Sequence, residues 1–345
     1  MNKVVHLCPV NKFMPAFIEL INSRLCCAHE FFVYSNEEYS GDAENVTSPF
    51  YSGFSLSKFY TMVRSMNRAD IIIIHGLFDV KVMFTLVFMP WLIRKSKWIV
   101  WGGDLYVWTG RYTFRDKLSS ALKKIIVPNL NSMITYVNGD YAYAVSQYSS
   151  KAKFEECIVY PSNFFRYGFV DKAVNESNIN QVLLGNSADP QNNHLEALEK
   201  LKSIDDGIME LTIPLSYGCK KNAVIVAQKA SEMFGDRVRI ISDFMTLEEY
   251  SSLLASIDFA VFCHDRQQAM GNIITLLGMG KTVVLKSGLS HSNFLTSKGL
   301  VYKDIASLSL DSISREEGIR NSEIVSAYFN ESNCVMQLNR IFGDN

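Results

Sequence analysis

The 345-residue sequence has no C-x-x-C pair, and its seven cysteines (Cys8, Cys26, Cys27, Cys157, Cys219, Cys263, Cys334) are odd in number and scattered. With no histidines at zinc-ligand spacing either, this argues against a disulfide scaffold or zinc ribbon and reads as reduced core thiols of a cytosolic protein. Charge of one sign is also missing: 34 basic against 35 acidic residues give no global attraction to nucleic acid, so any electrostatic signal has to be local. Neither a Walker P-loop nor a G-x-G-x-x-G fingerprint is present, which removes the usual support for kinase, ATPase and dehydrogenase readings. The opening "MNKVVHLCPV" carries one lysine and a short strand-like run that meets Pro9. That differs from a signal peptide, and a cytoplasmic location is expected. No repeat of about 20–50 residues and no low-complexity tract competes with a globular reading.

What is present is alternation. Short apolar runs alternate with longer helical patterns, the signature of βα units with a parallel sheet covered on both faces. Strands are predicted at 3–8, 31–35, 70–76, 97–102, 132–138 and 157–161, and a second set at 181–186, 210–216, 237–242, 258–263, 281–286 and 299–303. Between the sets lies the polar stretch "VDKAVNESNINQ", 170–181, which reads as a linker. The chain, at this length, accommodates two α/β halves with a core each.

In open α/β sheets, ligands sit beyond the carboxyl ends of the strands. The loop of "DFAVFCHDRQQAMGNIITLLGMGKTVVL", 258–285, therefore matters. A buried strand ends near Cys263, a polar loop carries His264, Asp265, Arg266, Gln267 and Gln268, and Gly271 with Asn272 opens an apolar helix. Such a helix start suits a diphosphate: Gly271 permits close approach to the backbone and Arg266 adds charge. The alternative is an ordinary strand-loop-helix corner. After the first strand of the second half, Gly185, Asn186 and Ser187 precede an amphipathic helix capped by Asn192 or Asn193. Two such loops favour a nucleotide diphosphate. Tyr217, at the end of "IPLSYG", either stacks on a base or packs in the core.

The stretches "LLGNSADPQNNH", "IPLSYG", "RQQAMGNIITLL", "HGLFD" and "WGGDLY" together resemble the bacterial 4-acetamido-4,6-dideoxygalactose transferase family. Its members move that amino sugar from a dTDP donor onto a polyprenyl-diphosphate-linked oligosaccharide in O-antigen or enterobacterial common antigen synthesis. The resemblance implies a GT-B fold, two Rossmann-like domains facing across a cleft. On that reading 1–172 binds the acceptor, 178–322 binds the nucleotide sugar, and 323–345 is a helix crossing back. It also implies that Gly185, Asn186, Ser187, Arg266, Gln267, Gln268 and Gly271 face the donor; Tyr217 at its strand end and Asn272 at its helix start complete the expected donor site. No cofactor is implied, and the sequence has no D-x-D metal motif after a strand, so helix starts and side chains are expected to stabilise the leaving diphosphate.

On the acceptor side, Asp104 follows Gly102 and Gly103 after a strand, where a carboxylate can take the acceptor hydroxyl's proton, bind sugar hydroxyls, or cap a local turn. His75 and Asp79 stand in the equivalent place after the preceding strand and are rivals for the base, though a buried, hydrogen-bonded role is expected for His75 as readily. His6, His29 and His291 are read as structural, and His194 as a helix start. Trp101, Tyr106 and Trp108 either stack on sugars or belong to the core. Residues 81–124 hold nine basic side chains (Lys81, Arg94, Lys95, Lys97, Arg111, Arg115, Lys117, Lys123, Lys124) against Asp104 and Asp116. Within them the apolar run 82–93 is shorter than the roughly 20 residues a bilayer span takes. Either it is a buried helix, or it docks peripherally on the anionic cytoplasmic face of the inner membrane. Two other classes share the layout: a two-domain sugar-nucleotide epimerase and a non-catalytic nucleotide-sugar-binding protein.

Overall fold

The computed structural model describes residues 2–11, 13–34, 43–49, 55–106, 113–171 and 179–343. The chain divides into two compact units, one of residues 1–164 with 331–345 and one of residues 165–330. The linker residues 172–178, and with them Trp108 and Arg111 of the expected site and patch, lie outside the described residues.

The first unit holds seven parallel strands: β1 (Lys3–Cys8), β2 (Ala28–Val33), β3 (Val46–Thr47), β4 (Ile71–His75), β5 (Ser96–Ile99), β6 (Ser132–Ile134) and β7 (Lys153–Glu155), in the order β3-β2-β1-β4-β5-β6-β7. The second holds β8 (Asn180–Leu184), β9 (Met209–Pro214), β10 (Val238–Ile241), β11 (Phe259–Phe262), β12 (Thr282–Leu285) and β13 (Lys303–Asp304), all parallel, in the order β10-β9-β8-β11-β12-β13. Both orders reverse direction once, between β1 and β4 and between β8 and β11. Those reversals are the switch points at which a doubly wound sheet opens a crevice.

Central strands are buried on both faces, as their β-branched and aliphatic content requires. β5, β11 and β12 are buried at every position, while the edges β3, β7, β10 and β13 are partly exposed and carry Lys153, Arg239 and Lys303. Charge on an edge deters further strand pairing.

Two expected strands are corrected. The stretch 157–161 is buried but is no strand: Val159 adopts φ +58, and the sheet ends instead on the polar β7. The segment is buried because the helix Glu331–Phe342 covers it, with Ile158 N donating to Gln337 Oε1 (3.0 Å) and Cys334 Sγ to Val159 O (3.3 Å). The stretch 299–303 pairs only through its last residue, in β13. The C-terminal region forms two helices, not one. Arg315–Tyr328 stays in the second unit, and Glu331–Phe342 belongs to the first. There Lys97 Nζ donates to Ile341 O (2.7 Å) and Asn2 Nδ2 to Phe342 O (2.7 Å). Phe165 and Phe169 already lie in the second unit, their rings filling the space above Gly278 and Gly280.

Candidate functional site

In the second unit, the loops after β8, β9 and β11 form one constellation at the switch point. Asn193 Nδ2 donates to Cys263 O (2.9 Å) and Asp265 Oδ2 (2.8 Å). In return Arg266 Nε donates to Gln191 Oε1, and its guanidinium stands 3.7 Å from Asp189. Asn186 Nδ2 donates to the Tyr217 hydroxyl (2.9 Å), Ala188 N to Tyr217 O (2.7 Å), and Ala188 bridges to Gly218. Gly218 has φ +108, and a Cβ there would meet Asp189 N at 2.8 Å, so only glycine allows the two loops to close up. The structure thus brings Asn186, Tyr217 and Arg266 together.

Individual roles differ. Gly185 (φ +69) is demanded by the interior, since a Cβ would lie 2.6 Å from His194 Nε2. Ser187 is buried and stitches its own loop, its hydroxyl accepting from Asp189 N and Asn192 Nδ2. Asn272 donates to the Tyr250 hydroxyl (2.7 Å). Gln267 lends its carbonyl to Arg266. Gly271 is exposed, and a Cβ there would meet nothing within 4 Å, so the space above it is open.

The helix starts around these loops are uncapped. His194–Ser203 and Met270–Gly278 begin after residues in the left-handed region, Asn193 (φ 50) and Ala269 (φ 56), with no side-chain cap. Lys220–Phe234 also lacks a side-chain cap and opens with Lys220 and Lys221, a sign of charge that the helix dipole disfavours at this end unless an anion is present. By contrast Leu247–Ser256 and Arg315–Tyr328 carry complete capping boxes. Left-handed alanine is strained by about 1–3 kcal/mol, and the helix Met270–Gly278 starts directly from it with no side chain to cap its first-turn N–H groups.

Sequence reasoning passed over three histidines. His194, His264 and His291 are buried, and neither ring nitrogen of any of them has a hydrogen-bond partner among the described residues. The same is true of Asn186 Oδ1 and Gln268 Oε1. Burial holds His264 down to about 3, with His291 and Arg266 adding to the shift, and holds His194 and His291 down to about 4. So many unpartnered polar atoms at one sheet edge call for a functional explanation. A histidine's burial leaves no mark in local sequence, which is why these three read as ordinary.

In the first unit, Asp104 lies 3% exposed with both oxygens occupied. Oδ2 accepts from Leu77 N (2.8 Å) and Trp98 Nε1 (2.7 Å), and Oδ1 from Trp101 N (2.9 Å). Burial lifts its carboxyl above the usual aspartate range, against the pull of Lys123 and these donors. The carboxylate clamps the turn after β5 to the turn after β4. His75 is fully buried in a hydrogen-bonded row. His29 meets His6 (3.0 Å), His6 meets His75 (3.0 Å), His75 Nδ1 meets the Tyr160 hydroxyl (2.7 Å), and Trp101 Nε1 donates to that hydroxyl (2.9 Å). Burial holds His75 down to about 3. Trp101 is thus engaged from within, and Tyr106 donates to Asp140 (2.6 Å). Asp79 caps the helix Val80–Phe88 through Lys81 N (2.7 Å) and lines a groove of about 780 Å³ with Pro9, Tyr34, Phe78, Lys81, Phe114 and Arg115. Of the three expected carboxylate and imidazole groups, Asp79 is the one that faces open space.

Among the described residues, no three His, Cys, Asp or Glu side chains are grouped to hold a metal ion, and no helix is long and apolar enough to cross a membrane.

A family model described as 4-alpha-L-fucosyltransferase, glycosyl transferase group 56, matches residues 11–326. Among solved structures the chain is similar to Anabaena HepE in complex with UDP-glucose, at 11% identity and TM-score 0.65 over 100% of both chains. It is also similar to the sucrose-phosphate synthase of Thermosynechococcus elongatus, at 12% identity and TM-score 0.64 over 99% of this chain and 98% of that one. A third is WaaG, a glycosyltransferase involved in lipopolysaccharide biosynthesis, at 11% identity and TM-score 0.62 over 98% of both. At such identities the likeness is one of fold: two Rossmann-like domains of the GT-B glycosyltransferase type.

Proposed function

The chain belongs to glycosyl transferase group 56, the 4-alpha-L-fucosyltransferase family, and we propose that it transfers 4-acetamido-4,6-dideoxygalactose from a dTDP donor to a polyprenyl-diphosphate-linked oligosaccharide. That sugar is 6-deoxygalactose, the fucose skeleton, with an acetamido group at C4, so the family's sugar chemistry and the sequence resemblance point the same way. A sugar-nucleotide epimerase shares the layout but not the family. The observation that carries the reading is the set of uncapped helix starts and unpartnered polar atoms at the second unit's switch point, a site suited to a diphosphate.

In this mechanism the acceptor hydroxyl oxygen bonds to the anomeric carbon as that carbon's bond to the diphosphate breaks. The hydroxyl proton passes to Asp79, and the nucleoside diphosphate leaves with the bonding pair. First-turn N–H groups of His194–Ser203 and Met270–Gly278, with Arg266, take up the charge of the leaving group, so that no metal ion is required. Asp104 and His75 act as positioning residues, holding the turns from which Asp79 and Trp101 project.

The acceptor would reach the groove from a membrane surface. Phe84, Phe88, Trp91 and Phe114 are exposed on neighbouring helices of the first unit, among the exposed cations Arg94, Arg115, Lys117 and Lys124. An apolar face rimmed by cations suits an anionic leaflet. Lys97, expected in this patch, is buried and paired with Glu155 (2.9 Å), so it has no part in docking.

The test is a transfer assay read by mass spectrometry, with dTDP-4-acetamido-4,6-dideoxygalactose and a short-chain polyprenyl-diphosphate disaccharide. A product heavier than the acceptor by one acetamidodideoxyhexose residue is expected. Donor binding by calorimetry with no product from this donor or from a fucosyl donor would overturn the reading in favour of a non-catalytic binding protein.

A further inference from the structure

Phe244 has no structural reason to be where it is. It lies 78% exposed between β10 and the helix Leu247–Ser256, and Leu247 beside it is 77% exposed. The helix start there is already complete, with its Thr246 and Glu249 capping box, so the ring supplies no cap and fills no core. It does face Tyr217. The two rings lie within 13° of parallel with centroids 6.3 Å apart, and Tyr217 is itself 49% exposed.

Tyr217 is held to an unusual degree for an exposed ring. Its hydroxyl accepts from Asn186, its carbonyl from Ala188 N, and the next residue, Gly218, is pressed against the Ala188–Asp189 backbone. Directly after it, the uncapped helix Lys220–Phe234 opens with two lysines. One end of this aromatic pair is therefore continuous with the anion-ready loops, and both of its side chains are exposed.

We propose that Tyr217 and Phe244 form the platform on which the planar base of the donor nucleotide stacks, while the diphosphate lies over the adjoining helix starts. This rests on the reading that the second unit holds the nucleotide sugar. Every nucleobase has a π-face, so the platform supplies affinity to any of them. A planar ligand is favoured over a sugar because a base can lie face to face on an aromatic ring over its whole area.

The experiment measures binding of dTDP and of inorganic pyrophosphate to the parent chain and to Phe244→Ala, Tyr217→Leu and Phe244→Trp. Base stacking on one aromatic ring is worth about five- to a hundred-fold in affinity. The Phe244→Ala variant should lose that much dTDP affinity with pyrophosphate affinity unchanged, Tyr217→Leu should lose at least as much dTDP affinity because its hydroxyl also holds Asn186, and Phe244→Trp should keep it. Phe244 is exposed, so its replacement should leave the melting temperature where it was. Unchanged dTDP affinity in a folded Phe244→Ala variant overturns the platform, as does an equal loss for dTDP and pyrophosphate, which would put the ring's effect on the phosphate loops. A parent chain that binds pyrophosphate and dTDP equally well refutes the base platform alone. A parent that binds neither removes the donor-site reading itself.

Discussion

Replacing Gly271 by alanine should move stability and donor affinity in opposite directions. Gly271 is the second residue of the helix Met270–Gly278, lies outside the left-handed region, and has no heavy atom within 4 Å of the position a Cβ would take. An alanine there clashes with nothing in the protein and restricts the unfolded chain. The expected gain is about 0.4–1 kcal/mol, or roughly 1–4 °C in melting temperature for a unit of this size. The same methyl group occupies the space through which a diphosphate reaches the first-turn N–H groups. Losing a hydrogen bond to a charged oxygen costs about 1.5–3 kcal/mol, so dTDP should bind about 10- to 150-fold more weakly. Differential scanning fluorimetry and calorimetry on one preparation read both quantities. A raised melting temperature with unchanged dTDP affinity would place the diphosphate elsewhere. A melting temperature lowered by several degrees would refute the steric reasoning about the open space.

Asp79→Asn keeps a competent helix cap, so it should retain the parental melting temperature and dTDP affinity while transfer falls by about 10²-fold; near-parental transfer would exclude Asp79 as the base. Asp104→Asn replaces one of the two acceptor oxygens that Leu77 N, Trp98 Nε1 and Trp101 N donate to with an N–H₂ donor, and should cost about 1–3 kcal/mol of stability; an unchanged melting temperature would contradict the clamp. Five histidines (His6, His75, His194, His264 and His291) are held by burial below the ordinary imidazole range. In the folded state they bind fewer protons than in the unfolded chain, so their contribution to stability is full above about pH 6.5 and is lost as pH falls below it, toward about 4 for His194 and His291 and about 3 for His75 and His264. Their ring proton shifts should stay flat from pH 8 to 5, and titration of any one near 6.5 would contradict its burial. Changing Arg94, Arg115 and Lys117 to Glu should abolish sedimentation with anionic liposomes at low salt without lowering the melting temperature; equal sedimentation of variant and parent would rule out docking through this face.

The sequence by itself determined the strands that run through the middle of each sheet. β1, β4, β8, β9, β11 and β12 are short aliphatic runs buried on both faces, and a run of that kind has few other places to go. Helix starts after strands were legible for the same reason, since Gly271 and Asn193 are local signals. The stretch 157–161 was misread because burial under a helix from the far end of the chain yields the same apolar composition as burial in a sheet. Asp104 shows the limit most sharply. A carboxylate after two glycines reads identically whether it faces a ligand or folds back, and only the tertiary structure delivered Leu77 N and Trp98 Nε1 to its oxygens. Which of the three strand-end groups Asp104, His75 and Asp79 meets open space was settled by the same route, because it depends on neighbours distant in sequence. Strand order, the switch points, the unpartnered histidines, and Phe244 beside Tyr217 are likewise relations between residues far apart in the chain. They arise when the sheet closes, and no local pattern encodes them.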